Sequence, residues 1–132
     1  MYANTKLERW ETPVVGALEL RIISVVEDGE LLVTVAEPSN LDRYRLRFRF
    51  QCGTYVTYRS TDDLHSRYLI NAKYEGERPC RTFVAEQSEW KQAISLECGM
   101  SGQDASLRHY VIWTDDDCIE VLALKPPEIY NF

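Results

Sequence analysis

The chain has 132 residues, 45% of them apolar and 27% charged. That length suits one domain, residues 1–132, and the balance excludes a disordered, collagen-like or coiled-coil chain. With 21 acidic against 15 basic residues the net charge is −6, which argues against wholesale electrostatic capture of nucleic acid or of an anionic membrane.

The first residues hold no basic segment followed by an apolar run, so no secretory signal is expected. Apolar runs such as Leu31-Leu32-Val33 and Tyr110 to Trp113 fall far short of the roughly 20 residues that span a bilayer. A cytoplasmic protein without membrane contact is the expectation. Residues 1–13 read as a polar lead-in anchored by Trp10.

Strands follow. Leu18, Leu20 and Ile22 alternate with Glu19 and Arg21, the period of a half-buried strand. Asp28-Gly29 supplies a hairpin turn, because both residues tolerate positive φ. Leu31, Val33 and Val35 then share one face of a strand over 30–37, which Pro38-Ser39-Asn40 interrupts. The clearest pattern comes next: Tyr44, Leu46, Phe48 and Phe50 alternate with Arg43, Arg45, Arg47 and Arg49. One face is apolar and aromatic, the other a row of guanidiniums. Cys52-Gly53 turns the chain into a strand over 54–59, rich in Thr, Tyr and Val.

Residues 60–78 predict a brief helix or turn, with Ser60-Thr61-Asp62 as its cap, and then a strand near 67–74. A short strand over 81–85 follows. Ser88 is placed as the N-cap of the main helix, near residues 88–98, with Glu89 in its first turn and Gly99 as its stop. Residues 99–106 read as a flexible loop. Leu107 to Thr114 and Cys118 to Leu124 form a second hairpin around Asp115-Asp116-Asp117. Pro126-Pro127 ends it and leaves Ile129, Tyr130 and Phe132 as an apolar tail. Six or seven strands with one good helix, in no βαβ order, predict an α+β fold. The expected sheet is antiparallel, strongly curved and partly barrel-like.

Four features carry candidate chemistry. Alternate residues on a strand lie about 6.6 Å apart, so the arginine row of Arg43, Arg45, Arg47 and Arg49 spans about 20 Å and suits an extended anionic partner. Pairing with Glu19 and other carboxylates of neighbouring strands is the simpler account of it. His109 lies in phase with Leu107, Val111 and Trp113, as a hydrogen-bonded core histidine or one lining a cavity. His65 follows Asp62 and Asp63, a set that suits acid–base work or a cation but also ordinary capping. The fourth candidate is a tyrosine-lined mouth in the curved sheet, with Tyr55, Tyr58 and Tyr110 beside His109 as ligand-binding groups. The Asp115–Asp117 run lacks the spacing of a calcium loop and reads as a solvated turn.

Cys52, Cys80, Cys98 and Cys118 are 28, 18 and 20 residues apart, with no close pair, so free thiols and no metal are expected. No glycine-rich phosphate loop and no Gly-x-Ser-x-Gly is present, and no catalytic residue, metal or cofactor is assigned. The stretch Leu107-Arg-His-Tyr-Val-Ile-Trp-Thr, the Asp turn, Ile119-Glu-Val-Leu-Ala and Pro126-Pro127-Glu-Ile, preceded by the Ser88–Trp90 helix start, resembles the ending of small uncharacterised bacterial single-domain proteins. The resemblance implies a bacterial protein of that kind and transfers no functional residue.

The leading expectation is a non-enzymatic bacterial protein-interaction or accessory module, acting through a protein partner or as a homodimer. The alternative is a protein that binds a small anionic or aromatic ligand in a cavity of the sheet, and a small hydrolase or transferase comes last. Charge placement favours an acidic partner over nucleic acid. Residues 41–60 carry Arg43, Arg45, Arg47, Arg49 and Arg59 against Asp42, or +4. Residues 110–132 carry Asp115, Asp116, Asp117, Glu120 and Glu128 against Lys125, or −4.

Overall fold

The structure is a computed structural model that describes residues 5–38, 45–99 and 104–131. Arg43, Tyr44 and residues 100–103 of the 99–106 loop lie outside the described residues. The strands are β1 (Glu8–Arg9), β2 (Arg21–Glu27), β3 (Leu31–Ala36), β4 (Arg45–Phe50), β5 (Tyr55–Thr61), β6 (Thr82–Ala85), β7 (Arg108–Trp113), β8 (Cys118–Ala123) and β9 (Glu128–Asn131). Two helices, α1 (Asp63–Lys73) and α2 (Glu89–Cys98), complete the elements, with a short 3-10 turn at Asp104–Ser106.

The strands divide into two antiparallel sheets where one curved, partly barrel-like sheet was expected. The first has the order β1-β6-β7-β8-β5, the second β2-β3-β4-β9. Period-two alternation explains their meeting. Leu31, Val33 and Val35 of β3, with Leu46, Phe48 and Phe50 of β4, pack against Tyr110 and Ile112 of β7 and Ile119, Val121 and Ala123 of β8. Trp10 sits in this core, 5.5 Å from the Phe48 ring and 5.0 Å from that of Tyr110, and so anchors the lead-in.

The five-stranded sheet is covered on its other face as well. There Phe83, Ala85, Val111 and Cys118 pack with Ile70 of α1, with Tyr74 just past its end, and with Leu7, Val15 and Cys80. Strand β8 is therefore buried along its whole length, as a strand covered on both faces must be. Both clusters bury large apolar side chains, each stabilising by about 1.5–3 kcal/mol.

Most of the predicted elements are present. Gly29, with φ +76°, closes the β2–β3 hairpin, and Gly99, with φ +62°, ends α2 in the left-handed conformation that favours glycine. Ser88 caps α2 by accepting from the Lys91 amide at 3.0 Å.

Four readings need correction. The strand placed at 18–22 begins at Arg21; Leu18 is 81% exposed. The amides of Leu20 and Ile22 bond instead to the carboxylates of Asp115 and Asp116, at 3.1 Å each. The strand placed near 67–74 is helix α1, three turns capped by Asp62, whose carboxylate accepts from the His65 amide at 2.9 Å. Consecutive Tyr68-Leu69-Ile70 looks like a buried strand. In the helix, however, Ser66 and Ile70, four residues apart, are buried together with the cap Tyr74, Leu69 is partly buried, and Leu64 and Tyr68 are exposed. The apolar tail is strand β9, paired with β4 at Phe48–Ile129 and Arg49–Glu128. Last, the helix at 88–98 is one of two.

Candidate functional site

The helix-covered face of the five-stranded sheet carries an unusual polar cluster. In the antiparallel ladder Arg59 of β5 stands opposite Glu120 of β8. On the other side of β8, Val111 is opposite Glu120, which sets His109, two residues along β7, diagonally across on the same face. Glu120 is completely buried, and a buried carboxylate must be paired. Arg59 grips it with two bonds, Nε to Oε2 at 2.9 Å and Nη2 to Oε1 at 3.1 Å. Nε2 of His109 lies 2.8 Å from Oε1. Burial by itself would push the Glu120 carboxyl up; the hydrogen bonds and charges of His109 and Arg59 outweigh it and bring it down to about 2.

Helix α2 roofs this cluster with Trp90. The indole lies edge-on to the His109 ring at 5.2 Å, and the Arg59 guanidinium stacks 4.2 Å from its centroid, a cation–π contact. Ahead of the roof, a cleft of about 140 Å³ opens between α1 and the start of α2. It is lined by His109, Arg59 and Trp90, by His65, Tyr68, Leu69 and Lys73 of α1, and by Thr5, Ser88 and Glu89. At about 30 Å³ per water this holds four or five waters, or a compound of similar size. The two histidines of the chain thus line one cleft.

Two observations describe its chemistry. His109 is 1% exposed, and its Nδ1 has no hydrogen-bond partner among the described residues. Most buried polar atoms have one, so a buried imidazole nitrogen without one calls for an explanation. The second is charge: Arg59 and Lys73 reach the lining. Lys73 forms only a loose pair with Glu89, at 3.7 Å with both partly exposed. The Nη1 of Arg59 is not used on Glu120.

The expected ligand set is not brought together. Tyr110 lies in the core between the sheets, its ring 5.8 Å from Phe50, and burial pushes its phenol up. Tyr55 packs on the same core and donates to the Glu27 carboxylate, and burial with that bond pushes it up to about 12. Tyr58, opposite Val121, belongs to the same side of the sheet and is 36% exposed. Only His109 of the four reaches the cleft. His65 is exposed there without a carboxylate on its ring from Asp62, which bonds its backbone amide instead.

The arginine row is partly spent within its own sheet. Arg49 pairs with Glu30 at 2.7 Å and Glu128 at 3.8 Å, and Arg47 Nε donates to Thr34 at 3.2 Å. Arg45 is exposed. The Asp turn is occupied too: Asp115 accepts from Arg81 and the Leu20 amide, Asp116 from the Ile22 amide. All four cysteines are unpaired. Cys52 and Cys98 are exposed, Cys80 and Cys118 buried, and burial pushes both buried thiols up, away from reactivity. Among the described residues no group of His, Cys, Asp and Glu converges as a metal site, and no helix is long and apolar enough to cross a membrane.

Sequence reasoning missed Glu120 and Arg59. One signal for Glu120 was present: a lone carboxylate in Cys-Ile-Glu-Val-Leu-Ala, in phase with Cys118 and Leu122. Larger clefts exist. One of about 610 Å³ runs past Pro13, Gly16, Ala17, Leu18, Glu19 and Glu37, with no cationic or imidazole group among these. Compared with protein-family models, curated protein sequences and solved structures, the chain matches none.

Proposed function

We propose that this protein binds a small anionic ligand in the cleft between α1 and α2. The single observation that carries the reading is the buried His109 of the cleft lining, held by Glu120 at one ring nitrogen and without a partner among the described residues at the other. Arg59 and Lys73 supply positive charge at the lining, and the start of α2 adds the favourable end of its dipole. Trp90 supplies the apolar wall, and its ring reports occupancy.

Titration with small carboxylates and inorganic phosphate, followed by amide and indole NMR, is the test. Shifts confined to Trp90, His109, His65 and Lys73, abolished in Lys73→Glu, are expected. Shifts scattered over the surface, or none, would refute the reading.

A second reading, an interaction module for an acidic protein segment, is favoured by one feature. Both helices pack on the five-stranded sheet, so the outer face of the four-stranded one carries Arg45 and the exposed Val26, 47% accessible, as open surface. Arg45→Glu combined with Arg47→Glu should weaken a complex with an acidic peptide at least tenfold, measured by titration calorimetry. Unchanged affinity removes the arginine face as an interface.

A further inference from the structure

We infer that a second cleft of this protein, beside the start of β6, binds a small molecule that joins an aromatic ring to an acid group. This cleft shares no lining residue with the one between α1 and α2, so the inference stands apart from that reading.

The cleft has a volume of about 350 Å³. Pockets for small organic molecules begin at about 300 Å³, and about 150 Å³ already admits benzene. Three parts of the chain line it. Arg67 comes from α1. Arg78, Pro79 and Arg81 come from the segment that leads into β6, and Trp113 and Asp115 from the end of β7 and the turn after it.

The charged groups of this lining are three guanidiniums and one carboxylate. Arg81 and Asp115 offset each other as a pair at 3.0 Å. The carbonyls of Ala17 and Leu18 hold the same guanidinium further, so Arg81 is committed to the fold. Arg78 is not. Glu75 and Glu77 stand close to it in sequence, yet among the described residues its contact is with the ring of Tyr74, whose centroid lies 5.5 Å from the guanidinium carbon. A guanidinium offers five N–H donors in a planar fork that matches a carboxylate or a phosphate. Those of Arg78 are open to the acid group of a ligand, and Arg67 adds positive charge to the same lining.

The lining also suits a ring. Trp113 is half-buried and Pro79 exposed. Indole and guanidinium faces both stack on aromatic rings, and the chain already uses that chemistry here: Arg81 lies 5.6 Å from the Trp113 ring centroid, as Arg78 lies over Tyr74. A bare inorganic anion would leave the Trp113 wall unused. Aromatic carboxylates and aryl phosphates share the chemistry that this lining recognises.

The test is an NMR titration of the full chain that follows the indole signals of its three tryptophans. Benzoate and phenyl phosphate are compared with benzyl alcohol, and each with its saturated counterpart, cyclohexanecarboxylate or cyclohexyl phosphate. The tighter of the two aromatic acids identifies the acid group. It should shift Trp113 rather than Trp90 and bind at least tenfold more tightly than benzyl alcohol, as a charge-assisted hydrogen bond implies. It should also bind about fivefold more tightly than its saturated counterpart, which is the more hydrophobic of the pair, so the gain belongs to the π face. Arg78→Gln, at an exposed position, should weaken it about tenfold. The inference is overturned if neither acid shifts Trp113, if the acid gains nothing over the alcohol or the saturated counterpart, or if Arg78→Gln leaves the affinity unchanged.

Discussion

Glu120→Ala should lower the unfolding free energy by about 3 kcal/mol, the low end of the range for removing one partner of a buried ion pair. The low end applies because Arg59, with 36% of its side chain exposed, can turn back to water. His109 cannot, and loses the hydrogen-bond partner of its Nε2. For a chain of this size the melting point should fall by roughly 10 °C. The loss should depend on pH with a defined sign. Glu120 is lowered from 4.5 to about 2 in the folded state, so its contribution is complete above about pH 5, declines as the pH falls through 4.5 toward 2, and is gone below that. The depression is equivalent to roughly 3 kcal/mol. Urea unfolding of wild type and variant at pH 7 and near pH 3 therefore gives a difference that narrows in acid. A difference that stays constant with pH would show that Glu120 is not an ionised partner in the folded protein.

Arg81→Ala should cost about 3–4 kcal/mol, and its damage should be local. Arg81 is buried, and its guanidinium donates to the carbonyls of Ala17 at 3.0 Å and Leu18 at 2.6 Å and to Asp115 at 3.0 Å, with Trp113 at 3.4 Å. Its backbone amide bonds the Val15 carbonyl at 2.8 Å. One side chain thus fastens residues 13–20 and the β7–β8 turn to the five-stranded sheet. Charge-assisted bonds contribute about 1.5–3 kcal/mol each, yet the sum is less, because the Leu18 backbone and the Asp115 carboxylate can regain water. Arg81→Lys should recover less than half of the loss, since an ammonium cannot reproduce the planar fork. Hydrogen exchange should accelerate at the Leu20 and Asp115 amides before the β3–β4 core opens. Uniform acceleration across both sheets would contradict this local role.

Glu120 and Arg81 share a property that explains what could be read in advance. The alternation of Leu31, Val33 and Val35, and of Leu46, Phe48 and Phe50, made their strands and buried faces legible, because the period of a strand is a local property of the backbone. The caps at Asp62, Ser88 and Gly99 were legible for the same reason. The phase of His109 with Val111 and Trp113 was also legible, yet the expected ligand set put Tyr110 beside it, and that tyrosine packs on the opposite face of β7. Helix α1 was obscured by the consecutive apolar run Tyr68 to Ile70, only part of which the packed helix buries.

The division into two sheets was beyond local reasoning. It depends on β5 pairing with β8, some sixty residues away, and on β9 pairing with β4, some eighty residues away. Periodicity marks a buried face without naming what buries it. By itself the sequence determined an acidic α+β chain of antiparallel strands, with the apolar sides of β3 and β4 and the ends of α2. Tertiary structure alone decided that Arg59, His109 and Glu120, from three strands, meet beneath Trp90, and that His65 joins them across a cleft. Their contact energy exists only after both sheets and both helices have assembled, and no short-range pattern is required to encode it.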